Sequence, residues 1–349
     1  MTTMCAEGCA ALKPADFASS QEVKWCPGCG DYAILSVVKK VLAGQQADRS
    51  HTVFVSGIGC SSRFPYYMNT YGFHGIHGRA ATIATGLKLA RPDLAVWIVT
   101  GDGDGLSIGG NHLVHLLRRN VNVKVLLFNN RIYGLTKGQY SPTSEKGKKT
   151  KSSPVGVPEN PMRAISVALG AEATFAARTI ASDLKHLEYT LTRAAAHEGT
   201  AFVEIYQNCV IFNEDAFEHL SDKETRADRT VMLEHGKPMI FGKNRDKAIQ
   251  LRGFTPVVVN VADVPADSLL THDEHTSDPS LAFLLSRMSF PDMPEPLGVF
   301  RDVAQPIYDQ TVRQQHEDAV ATKGRGRLQD LLYSGGTWRV GAAAASESP

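Results

Sequence analysis

The sequence predicts an α/β fold: a mostly parallel sheet with helices on both faces, plus a small C-terminal extension. Between about residues 30 and 206, short β-branched runs bounded by glycine alternate with longer stretches in which apolar residues recur at helical spacing. This alternation is typical of parallel sheets, whose crossover helices cover both faces. Ligands of such sheets bind outside the carboxyl ends of the strands, so the turns at those ends are the first places to search for a site.

The individual elements follow from the same two periodicities. Runs rich in Val, Ile and Phe predict strands at residues 52–56, 94–99, 121–128 and 201–206. Helical apolar spacing predicts helices near residues 30–43, 79–90, 109–119, 160–169 and 181–197.

Composition along the chain divides it into four segments. We expect a flexible N-terminus at 1–20, a main domain at 21–225, a smaller segment at 226–339 that packs on that domain or on a partner, and a disordered tail at 340–349. After residue 225 proline is frequent, and residues 250–261 offer only one or two strands. The Lys-rich stretch 141–154 has little apolar content and is predicted to be a mobile loop.

The overall composition excludes two classes of function. A formal net charge of +1 gives no bulk electrostatic attraction for nucleic acid. No apolar run approaches the roughly 20 residues that a membrane span needs, and the N-terminus lacks the pattern of a targeting signal. We therefore expect a cytoplasmic protein that binds neither nucleic acid nor membrane. In a reducing compartment its six cysteines are better explained as ligands or bystanders than as disulfides.

Oxygen ligands follow two of the predicted strands. Asp102 lies in the Gly-rich run Gly101-Asp102-Gly103-Asp104, which ends a strand and opens a helix, and Asn130 follows the next strand. Glycines let backbone N–H groups approach a phosphate, and the helix N-terminus favours an anion. Carboxylate and amide oxygens suit Mg²⁺, which takes its remaining ligands from phosphate and water. The alternative is that Asp102 and Asn130 only cap turns.

Four cysteines are candidates for a second metal site. Cys26 and Cys29 form a CxxC pair, Cys60 follows one predicted strand and Cys209 another. Converging thiolates would suit either Zn²⁺ or a [4Fe-4S] cluster, and spacing alone does not choose between them. Structural zinc more often uses two CxxC pairs. A third interpretation is that Cys60 and Cys209 are small buried apolar residues. Cys5 and Cys9 are assigned no ligand role.

Taken together, the motifs resemble the β subunit of a 2-oxoacid:ferredoxin oxidoreductase, a thiamin diphosphate enzyme. The resemblance covers about residues 20–215 and rests on motifs in the same order: Trp25-Cys-Pro-Gly-Cys-Gly30, Gly57-Ile-Gly-Cys-Ser61, His77-Gly-Arg-Ala80, Gly101-Asp-Gly-Asp104, Asn129-Asn130 and Tyr133-Gly-Leu-Thr-Lys-Gly-Gln139. Residues 226–339 carry only a loose likeness, at 295–300.

The resemblance implies a thiamin diphosphate-binding fold and a set of site residues. It assigns Cys26, Cys29, Cys60 and Cys209 to a [4Fe-4S] cluster, and Asp102, the Asn130 side chain and the Ile132 carbonyl to Mg²⁺. The residues implied to surround thiamin diphosphate are Ile58, Gly59, Ser61, His77, Gly101, Asp102, Gly103, Asp104, Asn130, Ile132, Gly134 and Leu135.

The resemblance also implies a reaction and its partners. The family converts a 2-oxo acid, coenzyme A and oxidised ferredoxin into acyl-CoA, carbon dioxide and reduced ferredoxin, which explains why thiamin and cysteine motifs share one chain. The carboxylate that contacts the aminopyrimidine ring of thiamin normally comes from a second α/β domain, for which this chain is too short. We therefore expect an α subunit to supply it, within an α2β2 heterotetramer.

The choice of substrate is predicted from fewer residues. Lys137 could pair with the second carboxylate of 2-oxoglutarate, with Leu135 shaping the pocket and His77 in a catalytic or positioning role. The alternatives are pyruvate or broad 2-oxo acid specificity, with Lys137 contacting diphosphate, a partner or water. A non-oxidative thiamin decarboxylase with structural zinc and a non-catalytic scaffold subunit also remain open.

Overall fold

One large sheet organises the chain. The computed structural model describes residues 11–338 and 340–341. The strands of the large sheet are β1 Thr52–Ser56, β2 Tyr71–His74, β3 Ala95–Gly101, β4 Val123–Asn129, β5 Phe175–Ile180, β6 Ala201–Tyr206, β7 Thr230–Leu233 and β11 Glu295–Asp302. They lie in the order β2-β1-β3-β4-β6-β5-β11-β7. A small antiparallel sheet contains β8 Ile240–Phe241, β9 Lys247–Arg252 and β10 Thr255–Asn260.

The α-helices connect and cover these strands. They are α1 Asp31–Gly44, α2 Ala80–Ala90, α3 Gly110–Arg119, α4 Ala164–Gly170, α5 Leu184–Ala196, α6 Glu218–Ser221, α7 Arg226–Arg229, α8 Ser280–Ser286, α9 Tyr308–Lys323 and α10 Leu328–Leu332. The five predicted helices correspond to α1 to α5 and the four predicted strands to β1, β3, β4 and β6, with ends that differ by up to four residues. Within the described ranges, no helix combines the length and the apolar character that crossing a bilayer requires.

Two apolar cores lie on opposite faces of the large sheet. Successive strand residues point to opposite faces. In β1, Val53 and Val55 accordingly pack with α2 and α3, whereas Phe54 packs with α1 and α5. Phe54 is fully buried, and such burial contributes about 1.5–3 kcal/mol. Burial on both faces is what confirms the α/β fold class.

Four neighbouring strands bring the candidate site residues together. β1, β3, β4 and β6 are adjacent and mutually parallel, so their carboxyl ends lie at the same edge of the sheet. The loops leaving these ends carry Cys60, Asp102, Asn130 and Cys209. The topology therefore converts four distant sequence motifs into one region.

The structure corrects three of the expected segment properties. The main domain does not end at residue 225, because β7 and β11, which follow that residue, extend the large sheet beyond β5. Residues 11–20 are anchored, since Phe17 is fully buried and Ala18 pairs with Met68. Residues 141–154 are held against the site, as described below. Residues 1–10, 339 and 342–349 lie outside the described part of the chain, and so do Cys5, Cys9 and most of the predicted disordered tail.

Candidate active site

Asp102 is a buried carboxylate at the end of β3. Its Oδ2 accepts hydrogen bonds from the Ser141 hydroxyl at 2.5 Å and the Thr143 hydroxyl at 2.6 Å. Burial raises the pKa of Asp102 to about 6, although both hydroxyls favour the ionised form. Both hydroxyls donate to the same oxygen of this carboxylate. A buried carboxylate of this kind is stabilised by a metal ion.

Asp104 fixes the loops around Asp102. Its Oδ1 accepts hydrogen bonds from the backbone N–H of Ile58 at 3.0 Å and of Gly78 at 2.6 Å, and lies 2.6 Å from His77 Nδ1. Its Oδ2 accepts the Thr100 hydroxyl at 2.6 Å. The Asp104 side chain therefore ties the loop after β1 to the turn before α2, and it orients the His77 ring. This positioning role adds to the expected role of Asp104 beside the diphosphate, which stays a prediction.

Tyr133 and two glycines control the shape of this region. The Tyr133 hydroxyl donates to the Gly103 carbonyl at 2.9 Å. A Cβ added to Gly103 would lie 2.2 Å from the Tyr133 ring, and one added to Gly57 would lie 2.1 Å from Asp104 Oδ2. Glycine is required at both positions because the backbone approaches these side chains closely.

The thiamin residues implied by the resemblance surround one cavity of about 170 Å³, which we call the Asp102 cavity. All twelve of them line it, namely Ile58, Gly59, Ser61, His77, Gly101, Asp102, Gly103, Asp104, Asn130, Ile132, Gly134 and Leu135. The lining also includes Cys60, Phe128, Tyr133, Thr136 and Gln207. Sequence reasoning missed Gln207, whose position directly after β6 was the available signal.

Cys26, Cys29, Cys60 and Cys209 line a second cavity of about 220 Å³, which we call the cysteine cavity. All four are free thiols. The Trp25 indole N–H donates to the Cys60 carbonyl at 2.7 Å, which joins the CxxC loop to the loop after β1. Burial raises the pKa of the Cys60 thiol to about 12 and also raises that of Cys29. Without a bound cation these thiols stay protonated.

The spacing of the cysteine sulfurs bears on which metal they suit. A Cβ placed on Gly134 would lie 3.6 Å from both Cys60 Sγ and Cys209 Sγ, so Gly134 is a near neighbour of both sulfurs. No three of the four sulfurs, all in the described part of the chain, lie within 4.8 Å of one another. A single Zn²⁺ ion bonded at about 2.3 Å to four tetrahedral thiolates would hold its sulfurs about 3.8 Å apart. The four sulfurs would therefore have to move closer together to bind one zinc ion.

The two cavities share a wall. Cys60, Asn130, Gly134, Leu135 and Gln207 line both of them. Lys137 lines only the cysteine cavity, where Lys24 and Arg63 are the other cations. The structure therefore places the predicted substrate residue Lys137 beside the cysteines, on the exposed turn that follows Leu135.

The Lys-rich segment is packed against the site and is not the free loop that its composition predicted. Ser141, Thr143 and Ser144 are buried. The Arg131 guanidinium pairs with Glu145 at 2.6 Å. The Lys148 ammonium donates a hydrogen bond to the Asn213 side chain. Asn213 in turn donates to the Asn130 carbonyl at 2.8 Å. A hydropathy pattern does not predict hydrogen bonds and ion pairs of this kind, so composition alone suggested a free loop.

A further buried carboxylate escaped sequence reasoning. Asp31 opens α1 beside Cys29, is fully buried, and neither of its side-chain oxygens has a hydrogen-bond partner. Burial raises its pKa to about 7. Acidic residues in a first helical turn are common, so its sequence position gave no distinguishing signal.

Comparison with known proteins places this geometry in a family. Residues 52–205 match the family model described as "Thiamine pyrophosphate enzyme, C-terminal TPP binding domain". The 2-oxoglutarate oxidoreductase subunit KorB of Mycobacterium tuberculosis is 54% identical over 94% of this chain and 88% of its own length. The β subunit of 2-oxoacid:ferredoxin oxidoreductase 1 of Aeropyrum pernix is 47% identical over 54% of this chain and 60% of its own length.

A solved structure agrees with these sequence matches. The 2-oxoglutarate:ferredoxin oxidoreductase of Magnetococcus marinus, determined with 2-oxoglutarate, coenzyme A and succinyl-CoA bound, superimposes with a TM-score of 0.73. The alignment covers 93% of this chain and 95% of that one, at 34% identity. This chain therefore belongs to the family of 2-oxoacid:ferredoxin oxidoreductase β subunits, and to the group that includes the 2-oxoglutarate enzymes.

Proposed function

We propose that this chain is the thiamin-binding and cluster-binding subunit of a 2-oxoglutarate:ferredoxin oxidoreductase. The reaction converts 2-oxoglutarate, coenzyme A and oxidised ferredoxin into succinyl-CoA, carbon dioxide and reduced ferredoxin. The shared wall between the Asp102 cavity and the cysteine cavity is the observation that carries the proposal. It supports the proposal because thiamin diphosphate in the first cavity would then lie beside a one-electron acceptor in the second.

The Asp102 cavity has the ligands that Mg²⁺ and a diphosphate need. Asp102 supplies a buried carboxylate, Asn130 an amide oxygen and Ile132 a backbone carbonyl, a set of hard oxygens that suits Mg²⁺. Gly101 and Gly103 allow the backbone to approach the diphosphate. His77, with Nδ1 on Asp104, presents its other ring nitrogen on the side facing away from that carboxylate.

The cysteine cavity is lined by four cysteines, the number of thiolate ligands that a [4Fe-4S] cluster takes. Four thiols converge on it, and the cations Lys24, Arg63 and Lys137 line it. These cations offset the negative charge that a thiolate-bound cluster carries. When bound, thiamin diphosphate supplies the carbon that adds to the 2-oxo group, and the cluster accepts the electrons that decarboxylation leaves.

The residues of this chain bind, orient and shield those groups. Asp104 holds the loops of the Asp102 cavity in register, and the Tyr133 hydroxyl closes the cavity beside Gly103. Gly134 lies between the cavity and the sulfurs of Cys60 and Cys209. Because Gly134 has no side chain, the two bound groups can approach each other.

The partner we propose is an α subunit, joined in an α2β2 heterotetramer. It would supply the carboxylate that the aminopyrimidine ring of thiamin requires, and the active site would lie at the interface. Ferredoxin and coenzyme A are the other proposed partners. We further propose a cytoplasmic location, where a reducing environment would keep the four cysteines available as ligands.

The decisive experiment uses the chain co-expressed with its α subunit and purified without oxygen. We expect about four irons and four sulfides per chain, and reduction of ferredoxin or viologen that requires 2-oxoglutarate and coenzyme A. Cys60→Ser should remove iron while thiamin diphosphate still binds. Asp102→Ala should remove thiamin diphosphate while iron remains.

The competing functions predict different results in the same experiment. Zinc in place of iron would support the non-oxidative decarboxylase and overturn our proposal. Unaltered thiamin binding in Asp102→Ala would support a scaffold subunit. Iron with a preference for pyruvate would leave the reaction class intact and change only the substrate.

A further inference from the structure

A second group of metal-ligating side chains lies in the C-terminal part of the chain, outside both cavities. One ligand atom each from His235, Glu274 and His275 lies within 4.8 Å of the other two. His235 follows β7, and the other two residues precede α8. The proposed reaction uses none of them.

A hydrogen bond fixes the tautomer of the His275 ring, and a nearby carboxylate favours the same tautomer of the His235 ring. His275 Nδ1 lies 2.7 Å from the Asp302 backbone carbonyl, which can only accept, so Nδ1 carries the proton and Nε2 keeps its lone pair. His235 Nδ1 lies 3.3 Å from the Asp273 carboxylate, which favours the same tautomer. Histidines that bind a metal usually donate their other ring N–H to a carboxylate or a backbone carbonyl in this way.

Glu274 is held in place for the same role. It is buried, and its Oε1 accepts a hydrogen bond from the Arg193 guanidinium at 2.9 Å and lies 3.5 Å from His275 Nε2. Two ligands bonded at about 2.0–2.1 Å to one tetrahedral zinc ion lie about 3.3 Å apart, close to that separation.

The local charge also favours a divalent cation. Glu274, Asp273 and Asp302 contribute three negative charges, against one positive charge from Arg193, which also pairs with Asp302 at 2.8 Å. With neutral imidazoles the group therefore carries a net charge of about −2.

We infer that His235, Glu274 and His275 form a binding site for a divalent transition-metal ion, best suited to Zn²⁺. Imidazole and carboxylate ligands match zinc, and three protein ligands leave one position for water. The ion joins the segment after β7 to the segment before α8 and, through Asp302 and Arg193, to β11 and α5. It therefore cross-links and stabilises the C-terminal part of the fold.

Zinc content and coordination test this inference in the full chain, with the cysteine cluster assembled and Mg²⁺ in excess. After equilibrium dialysis against Zn²⁺ we expect about one tightly bound zinc per chain. Its X-ray absorption should show nitrogen and oxygen ligands and no sulfur. The double variant His235→Ala/His275→Ala should lose this zinc, whereas His316→Gln on α9 should retain it. Sulfur ligands, or zinc retained by the double variant, would overturn the inference.

A conservative variant guards against loss of folding. Glu274→Gln can still accept the hydrogen bond from Arg193 but lacks the charge, so we expect zinc binding to weaken by at least about tenfold. Zn²⁺ should raise the unfolding temperature of the wild-type chain and of His316→Gln, and leave that of His235→Ala/His275→Ala unchanged. An equal rise in all three proteins would show that zinc acts elsewhere. Neither readout depends on turnover of a 2-oxo acid.

Discussion

The Thr143 hydroxyl lies 2.6 Å from Asp102 Oδ2 although the two residues are 41 positions apart in the sequence. It also lies 2.9 Å from Asn129 Oδ1, and Asn129 Nδ2 donates to Glu204 at 2.8 Å. A segment that hydropathy describes as a polar loop therefore supports the proposed metal ligand and connects it to the interior of the sheet.

Thr143→Val should weaken Mg²⁺-dependent binding of thiamin diphosphate by about 10- to 100-fold, the usual cost of removing a group that orients a metal ligand. Valine keeps the shape and removes only the hydroxyl. Isothermal titration measures the affinity. Thr150→Val is the matched control in the same segment, because the Thr150 hydroxyl contacts the Ser152 hydroxyl at 3.2 Å and not Asp102. This variant should bind thiamin diphosphate normally. Equal affinities of the two variants would mean that Thr143 does not support the ligand.

The raised pKa of Asp102 predicts opposite pH dependences for stability and for metal binding. The folded apoprotein holds the Asp102 proton up to about pH 6, whereas the unfolded chain releases it near pH 3.8. The stability contributed by this proton is present below about pH 4 and is lost as the pH rises through 6. Metal binding requires the ionised carboxylate, so Mg²⁺ affinity should fall as the pH falls through 6.

Asp102→Asn isolates this effect. At pH 8 the apo variant should be more stable than the wild type by up to about 3 kcal/mol, which corresponds to a shift of roughly two pKa units. The difference should vanish near pH 4. Urea unfolding at a series of pH values measures it. A stability difference that stays constant from pH 4 to 8 would contradict the assignment of the titration to Asp102.

Two glycine-to-alanine substitutions distinguish a glycine that is needed for close packing from one that only adds backbone entropy to the unfolded chain. Gly103→Ala places a Cβ 2.2 Å from the Tyr133 ring, so Tyr133 must move; we expect a loss of about 1–3 kcal/mol and of thiamin binding. Gly86→Ala in α2 meets no atom within 4 Å and should stabilise the chain by about 0.5–1 kcal/mol. Thermal unfolding compares them. Similar changes in stability for the two variants would show that the Tyr133 ring can move aside without a loss of stability.

The elements predicted correctly are those in which local pattern and tertiary role agree. β1 and β6 consist of β-branched and aromatic residues whose alternate side chains fill both cores, and periodicity detects that. β5 was missed because it is rich in alanine and carries Arg178, which a local pattern assigns to the surface. Its burial is explained by Glu204 on β6 and Glu295 on β11, and such cross-strand pairing cannot be inferred from one segment.

The candidate site was more predictable than the fold around it. The residues expected to touch the cofactor lie in short motifs near the ends of strands. All twelve of them line one cavity. The supporting groups Ser141, Thr143 and Gln207 were missed, since hydroxyl and amide side chains carry no pattern until the fold brings them to Asp102 or to the cysteines.

The Arg178 ion pairs predict a large loss of stability on substitution. The guanidinium bonds to Glu204 at 2.8 Å and to Glu295 at 2.6 Å, and all three side chains are buried. Arg178→Met would leave two buried carboxylates unpaired, so we expect a loss of about 3–5 kcal/mol. Denaturant unfolding measures it. Lys40→Ala breaks the exposed 2.6 Å pair with Glu188 and should cost less than about 1 kcal/mol. A cost for Arg178→Met as small as that would show that water enters and solvates the carboxylates.

Substitution of Lys137 tests whether its charge serves the substrate or the cluster. Lys137 lines the cysteine cavity two residues beyond Leu135, which lines both cavities. If its ammonium pairs with the distal carboxylate of 2-oxoglutarate, Lys137→Met removes a charged hydrogen bond of about 1.5–3 kcal/mol. We therefore expect KM for 2-oxoglutarate to rise roughly 10- to 100-fold, with KM for pyruvate unchanged. Steady-state viologen reduction measures both.

Iron content and a matched lysine complete this test. Lys137→Met should keep its iron, and Lys146→Met, an exposed lysine of the segment that holds Ser141, should behave as the wild type. If rates with 2-oxoglutarate and pyruvate fell equally and iron was lost, Lys137 would act as a counter-charge to the cluster, as its place in the cysteine cavity also permits. The substrate preference would then have to come from residues of the Asp102 cavity or of the α subunit.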